Sequence, residues 1–186
     1  MQLFFYNNSN YIKMKIIKIL LVATLFVAFT SNAQIEKGNW MMGGGANFGN
    51  YKSTSGGVKV ESTGIGVYPN IGYFVIDKLA LGASAELGFS NATKTSYGIS
   101  PFIRYYILEK DKTFNFFSEA SYGISRIINS NYKSQKLNLK AGTVFFLNSS
   151  VGIEAALNYS TNKYSQDSHN EAFYLLIGFQ IHLEKK

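Results

Sequence analysis

From Leu79 to Leu183 the chain repeats one pattern: every second residue is apolar, and the residues between are small or polar. Leu79, Leu81, Ala83, Ala85, Leu87 and Phe89 make one such row, and Tyr97, Ile99, Pro101, Ile103, Tyr105 and Ile107 a second. Val151, Ile153, Ala155, Leu157 and Tyr159 make a third, and Phe173, Leu175, Ile177, Phe179, Ile181 and Leu183 a fourth. No charge interrupts any of them. A period of two is that of a β-strand, whose successive side chains point to opposite faces.

The same reading from Asn39 onward gives eight strands, at approximately 39–49, 63–74, 79–89, 96–107, 114–126, 136–147, 150–159 and 172–183, with no helical stripe. Short connections at 76–78, 108–113 and 148–149 alternate with mostly longer ones at 52–62, 90–95, 127–135 and 160–171, which are rich in Ser, Thr, Asn and Lys. An even strand number, with tight turns at one end and polar loops at the other, is the layout of a transmembrane barrel.

The faces decide between a soluble and a membrane barrel. Opposite the apolar rows stand Gly82, Ser84, Glu86 and Gly88, then Gly152, Glu154, Ala156 and Asn158, then Gly178, Gln180 and His182. A soluble ligand-binding barrel is apolar inside, but here the apolar face is continuous and the other is small and polar. The pattern therefore predicts an inside-out barrel, too polar at its centre for a dry core. Most of the 17 glycines share the polar face, which suits a narrow interior. About ten residues per strand, tilted by ~45°, rise roughly 23 Å, close to the apolar band of such barrels.

The inward parity also places five charges. Glu86, Arg104, Glu119, Lys140 and Glu154 fall on consecutive strands with alternating sign. Their similar distance from the short-turn end predicts a lateral chain of ion pairs, with Arg104 between Glu86 and Glu119. The expected role is to plug and specify the lumen.

Pro69 and Pro101 lie on the outward rows, in the matching segments Gly66 to Phe74 and Gly98 to Tyr106. Neither supplies the amide proton a ladder needs, so a repeated local irregularity is expected at both.

Residues 1–33 read as a cleavable signal peptide. Lys13, Lys15 and Lys18 flank or enter an apolar run from Ile16 to Phe29, short of the ~20 residues a spanning helix needs, and small residues end it at Ala33. Met14 is an alternative start. Losing this segment removes three Lys and no acid, lowering the formal charge from +7 to +4. The remaining bases are dispersed, which argues against nucleic acid as a partner. With no cysteine there is no disulfide, thiolate metal site or lipidated cysteine, and no cluster has metal-ligand spacing. No cofactor is expected.

The mature segment, 34–186, resembles the small outer-membrane β-barrels of Gram-negative bacteria, the OmpA/OmpX-like barrels often labelled "porin family". The resemblance rests on the signal ending Asn32-Ala33-Gln34, the Gly-x-x-Pro segments, Glu119-Ala120-Ser121-Tyr122-Gly123 and the terminal Ile177 to Leu183. It implies residence in the outer membrane, contact with its lipid, and assembly by the insertion machinery, with Phe179, Ile181 and Leu183 as the C-terminal signal. The chain departs from the common terminal aromatic by ending Leu183-Glu184-Lys185-Lys186. A monomer is expected.

Three functions compete. The leading one is a structural or surface-interaction protein without catalysis, since side chains fill an eight-stranded interior. The second is a narrow pore for ions or small solutes. The third, a lipid-modifying enzyme, would need a nucleophile system at the lipid boundary and has only His169 and His182 to offer.

Overall fold

The computed structural model describes residues 35–55, 58–91, 95–110, 112–128, 133–165 and 168–184, and the side chains of 50–62 and 164–170 fall outside that description. The expected signal peptide lies outside the described residues. Eight strands follow in order: β1 (Trp40–Ser55), β2 (Val58–Ile76), β3 (Leu79–Ser90), β4 (Ser96–Tyr106), β5 (Phe114–Ile127), β6 (Lys133–Phe146), β7 (Val151–Ser165) and β8 (Ser168–Leu183). Each pairs antiparallel with its neighbours, and β8 returns to β1, closing an up-and-down barrel.

Polarity is inverted, as the alternation predicts. Leu81, Ile103 and Ile177, from three different rows, are 45%, 46% and 60% exposed, while Glu119 is 6% exposed. The outward apolar side chains include Phe89, Ile99, Leu157, Phe173 and Phe179.

The strands overrun their expected ends at the long-loop end. β1 and β2 stay paired to Ser55↔Val58, and β7 and β8 to Ser165↔Ser168, so much of 52–62 and 160–171 is ladder and not loop. At 19 residues β2 far exceeds the roughly ten a tilted membrane strand requires. Beyond the apolar belt both faces of a hairpin can be polar, so the alternation that marks a strand fades while the hydrogen bonds continue. The barrel seam is shorter: β1 meets β8 only from Trp40↔Leu183 to Ala46↔Ile177.

Both prolines sit in a lapse of the ladder. β2 and β3 pair at Val67↔Leu87 and resume at Asn70↔Ser84, and β4 and β5 pair at Ile99↔Ile124 and resume at Phe102↔Ser121. The register is the same on either side of each lapse, so no residue is inserted. On their other edges Pro69 still pairs with Gly44 and Pro101 with Ala83. The missing N–H therefore interrupts one ladder only, at equivalent places in the two matching segments.

The short-turn end is tied by the chain that enters β1. Ile35 is fully buried, its carbonyl accepts the Lys78 amide at 2.8 Å, and the Gly38 amide donates to the Phe74 carbonyl at 2.9 Å. Lys78, at a positive φ of 68° in the β2–β3 turn, pairs its ammonium with Glu109, and Lys110 pairs with Glu36.

Candidate functional site in the lumen

The interior is built in layers. At the short-turn end, Ile35, Met41, Phe74, Ala80, Tyr106, Phe117, Val144 and Phe146 form a buried apolar cluster. The rings of Phe74, Tyr106 and Phe146 surround the imidazole of His182 with centroids 5.6, 6.0 and 5.4 Å away. A lumen uniformly too polar for a dry core is thus corrected: this end of it is dry. Glycine makes room for the rings. A methyl group on Gly82 would sit 2.4 Å from Cζ of Phe102 and 2.2 Å from the Ile71 carbonyl oxygen, so the ring occupies the volume a side chain would take.

Above this floor lies the charge layer. Arg104, fully buried, donates from Nε to Oε2 of Glu119 at 2.7 Å, and its Nη2 lies 2.6 Å from the same oxygen, an ion pair poorly angled for a hydrogen bond. Its Nη1 donates to Oε1 of Glu154 at 2.6 Å and to the Tyr106 hydroxyl at 3.3 Å. Lys140 donates to the second oxygen of Glu119 at 2.6 Å, and Gln180 reaches the second oxygen of Glu154 at 3.4 Å. The Phe117 ring lies 4.3 Å from the guanidinium carbon, close enough for a cation–π contact. Two cations thus meet two anions. Desolvating four charges costs several kcal/mol each, which this mutual bonding offsets only while every partner stays in place.

The arrangement differs from a strand-by-strand chain at two members, Glu86 and Glu154, the second of which pairs with Arg104 and not with Lys140 on the next strand. Glu86 does not contact Arg104; its Oε2 accepts from Lys136 at 2.7 Å. The register supplies the reason. Arg104 lies opposite Ala80 on β3, whereas Glu86 lies opposite Gly98, six residues further along and so about 20 Å away along the strand. Glu86 lies seven residues into β3 from Leu79 and Arg104 only two from the end of β4 at Tyr106, and with Leu79 paired to Tyr105 the two strands run nearly in step, so unequal distances from the turn become unequal depths. Arg104 instead crosses the lumen to Glu154 on β7. Lys136 was absent from the expected set, although it shares the inward parity of Lys140 four residues on.

The upper layer is open and polar. Lys136 lies 5.8 Å from the Tyr68 ring centroid, Tyr68 stacks on Tyr174 at 6.3 Å, and Asn138 donates to Ser121 at 3.2 Å. The described residues border a hollow of about 170 Å³ at Asn47, Tyr68, Glu86 and Ser96, and another of about 30 Å³ at Ser84, Ser100, Lys140 and Asn158. Among the described residues no group of His, Asp and Glu could hold a metal ion. Phe179, Ile181 and Leu183 line the outward face of β8, with the first and last exposed and Ile181 partly so. His182 is buried in its ring of aromatics, and the His169 side chain lies outside the described residues.

Solved structures share this architecture. The N-terminal β-barrel domain of Pseudomonas aeruginosa OprF superposes with a TM-score of 0.53 at 14% identity, over 79% of this chain and 98% of that one. The fold is that of the small outer-membrane β-barrels. Neisserial surface protein A (NspA) matches with a TM-score of 0.52 at 14% identity over 78% of this chain and 97% of its own, and the outer membrane protein OprG from Pseudomonas aeruginosa with 0.51 at 14% over 81% and 98%. No protein-family model and no curated protein matches the sequence. At such identities the outer-membrane barrels share with this chain a path through space and few side chains.

Proposed function

We propose that the chain is an integral outer-membrane protein with a structural or surface-interaction role, exported by its signal peptide and inserted with the short turns facing the periplasm. The carrying observation is a closed barrel with an apolar outer belt whose centre is locked by Arg104, Glu119, Glu154 and Lys140 above a dry aromatic floor. Lipid surrounds the belt. The insertion machinery reads β8 through Phe179, Ile181 and Leu183, and the protein works as a monomer. Catalysis at the lipid boundary has no support from His182, which is buried inside the lumen among the rings of Phe74, Tyr106 and Phe146.

Cell fractionation with gel mobility before and after boiling tests the reading. A membrane fraction whose unboiled band resists dodecyl sulfate and shifts on heating is expected; a soluble, unshifted protein would refute it.

The hollows beside Glu86 and Lys140 favour a second reading, a narrow pore for ions or small solutes. It requires the charge layer and the floor to rearrange together. Wild-type protein in planar bilayers is expected to be silent, and reproducible conductance steps would make the pore the better account.

A further inference from the structure

On the outer face of β5, β6 and β7, just beyond the apolar belt at the long-loop end, three bases converge. Arg126 and Lys133 are direct cross-strand partners, and Lys163 pairs with Gln135, two residues from Lys133. All three are exposed. Partners directly opposite have Cβ atoms about 5 Å apart and diagonal ones roughly 7–8 Å, distances at which like charges repel. Among the described residues none of the three has a carboxylate partner. Among the described residues the acid on this part of the wall is Glu171, which lies opposite Thr161, diagonal to Lys163, and interacts with the Tyr159 hydroxyl.

Three bases with one acid on their flank, itself engaged with Tyr159, leave an excess of positive charge that is complementary to an anion. Its position says which kind. Directly below on the same three strands run Tyr122, Ile124, Leu137, Leu139 and Leu157, all outward and exposed. An anion held by the bases would carry any attached acyl chains down along this apolar wall, which a free ion has no use for. The wall formed by β1 to β3 differs, presenting Phe48, Ile65 and Phe89 toward the same end.

We propose that Arg126, Lys133 and Lys163 bind the phosphate of a lipid in the outer leaflet, fixing one lipid against the β5–β7 wall. This rests on the membrane orientation proposed above. Phosphate accepts charge-assisted hydrogen bonds from all three side chains at once, which relieves their mutual repulsion.

Native mass spectrometry of the folded barrel in a neutral detergent tests it, with lipid A, phosphatidylcholine and inorganic phosphate as probes. Lipid A should remain bound to the wild type, with phosphatidylcholine and inorganic phosphate lost. The R126Q/K133Q/K163Q variant should hold lipid A roughly tenfold or more weakly, as expected on losing charge-assisted bonds. A variant with the same charge loss at the opposite end, K37Q/K110Q/K112Q, should bind like wild type. Equal weakening in both variants, or retention of phosphatidylcholine as strong as that of lipid A, would overturn the proposal, and so would tight inorganic phosphate. Heat-modifiable mobility of each variant reports folding separately, so a failure of the barrel itself is distinguished from a failure of the lipid site.

Discussion

The two ends of the lumen solve the same packing problem in opposite ways. At the short-turn end, rings fill the space and glycines give way to them. At the long-loop end, Glu86, Lys136, Asn138 and the paired tyrosines leave hollows of about 170 and 30 Å³. The difference teaches that inward parity does not dictate polarity. Depth does: the floor is sealed by Ile35 and loses water, whereas the mouth stays in contact with it. The Arg104 layer marks the boundary.

Mutation can break this contrast. Arg104→Ala leaves Glu119 and Glu154 buried without their shared cation, and should cost about 3–5 kcal/mol. Urea unfolding in lipid micelles, followed by Trp40 fluorescence, measures it, and a midpoint equal to wild type would mean that water satisfies the acids. Phe117→Ala removes the ring beneath the guanidinium and opens a cavity in the floor, for an expected loss of about 3 kcal/mol by the same assay. Gly82→Ala drives a methyl group into the Ile71 carbonyl oxygen as well as Phe102 and should cost roughly 1–3 kcal/mol, with Phe102→Leu in the same chain restoring little because the backbone contact stays.

Smaller effects sharpen the comparison. Lys136→Ala leaves Glu86, 19% exposed and bordering the larger hollow, without its cation, so about 2 kcal/mol is expected, between the loss for a surface pair and that for a fully buried one. A loss as large as that of Arg104→Ala would show the mouth to be as dry as the floor. Lys78→Gly relieves a positive φ but gives up the Glu109 pair, and the net change should stay within about 0.5 kcal/mol.

Much of the fold was legible from alternation alone. Leu81, Ile103 and Ile177 could be placed outside, and Arg104 and Glu119 inside, because a closed barrel in lipid admits one solution for a continuous apolar face. Depth was not legible. Glu86 and Arg104 occupy adjacent strands with the right parity, yet lie about 20 Å apart along the strand, because Arg104 sits next to the turn and Glu86 seven residues into β3, and which residues lie level depends on pairings that no single strand encodes. The dry floor was partly visible: Phe74, Tyr106 and Phe117 share parity with the inward glycines and charges. Their weight was masked by the small residues of the same rows. The extended hairpins escaped because beyond the belt nothing forces one face to be greasy, and the prolines announced an irregularity without revealing that the register survives it.

The pair across the lumen has a mechanical outcome. A chain of pairs linking each strand to the next would act as a hoop, reinforcing contacts the backbone already makes. Arg104 and Lys140 make such an arc through Glu119, and Arg104 is a spoke as well, tying β4 through Glu154 to a wall three strands away. A spoke opposes flattening, which a hoop permits, so the cross-section of the cylinder is braced against the sideways squeeze of a bilayer at the one height where its interior changes from wet to dry.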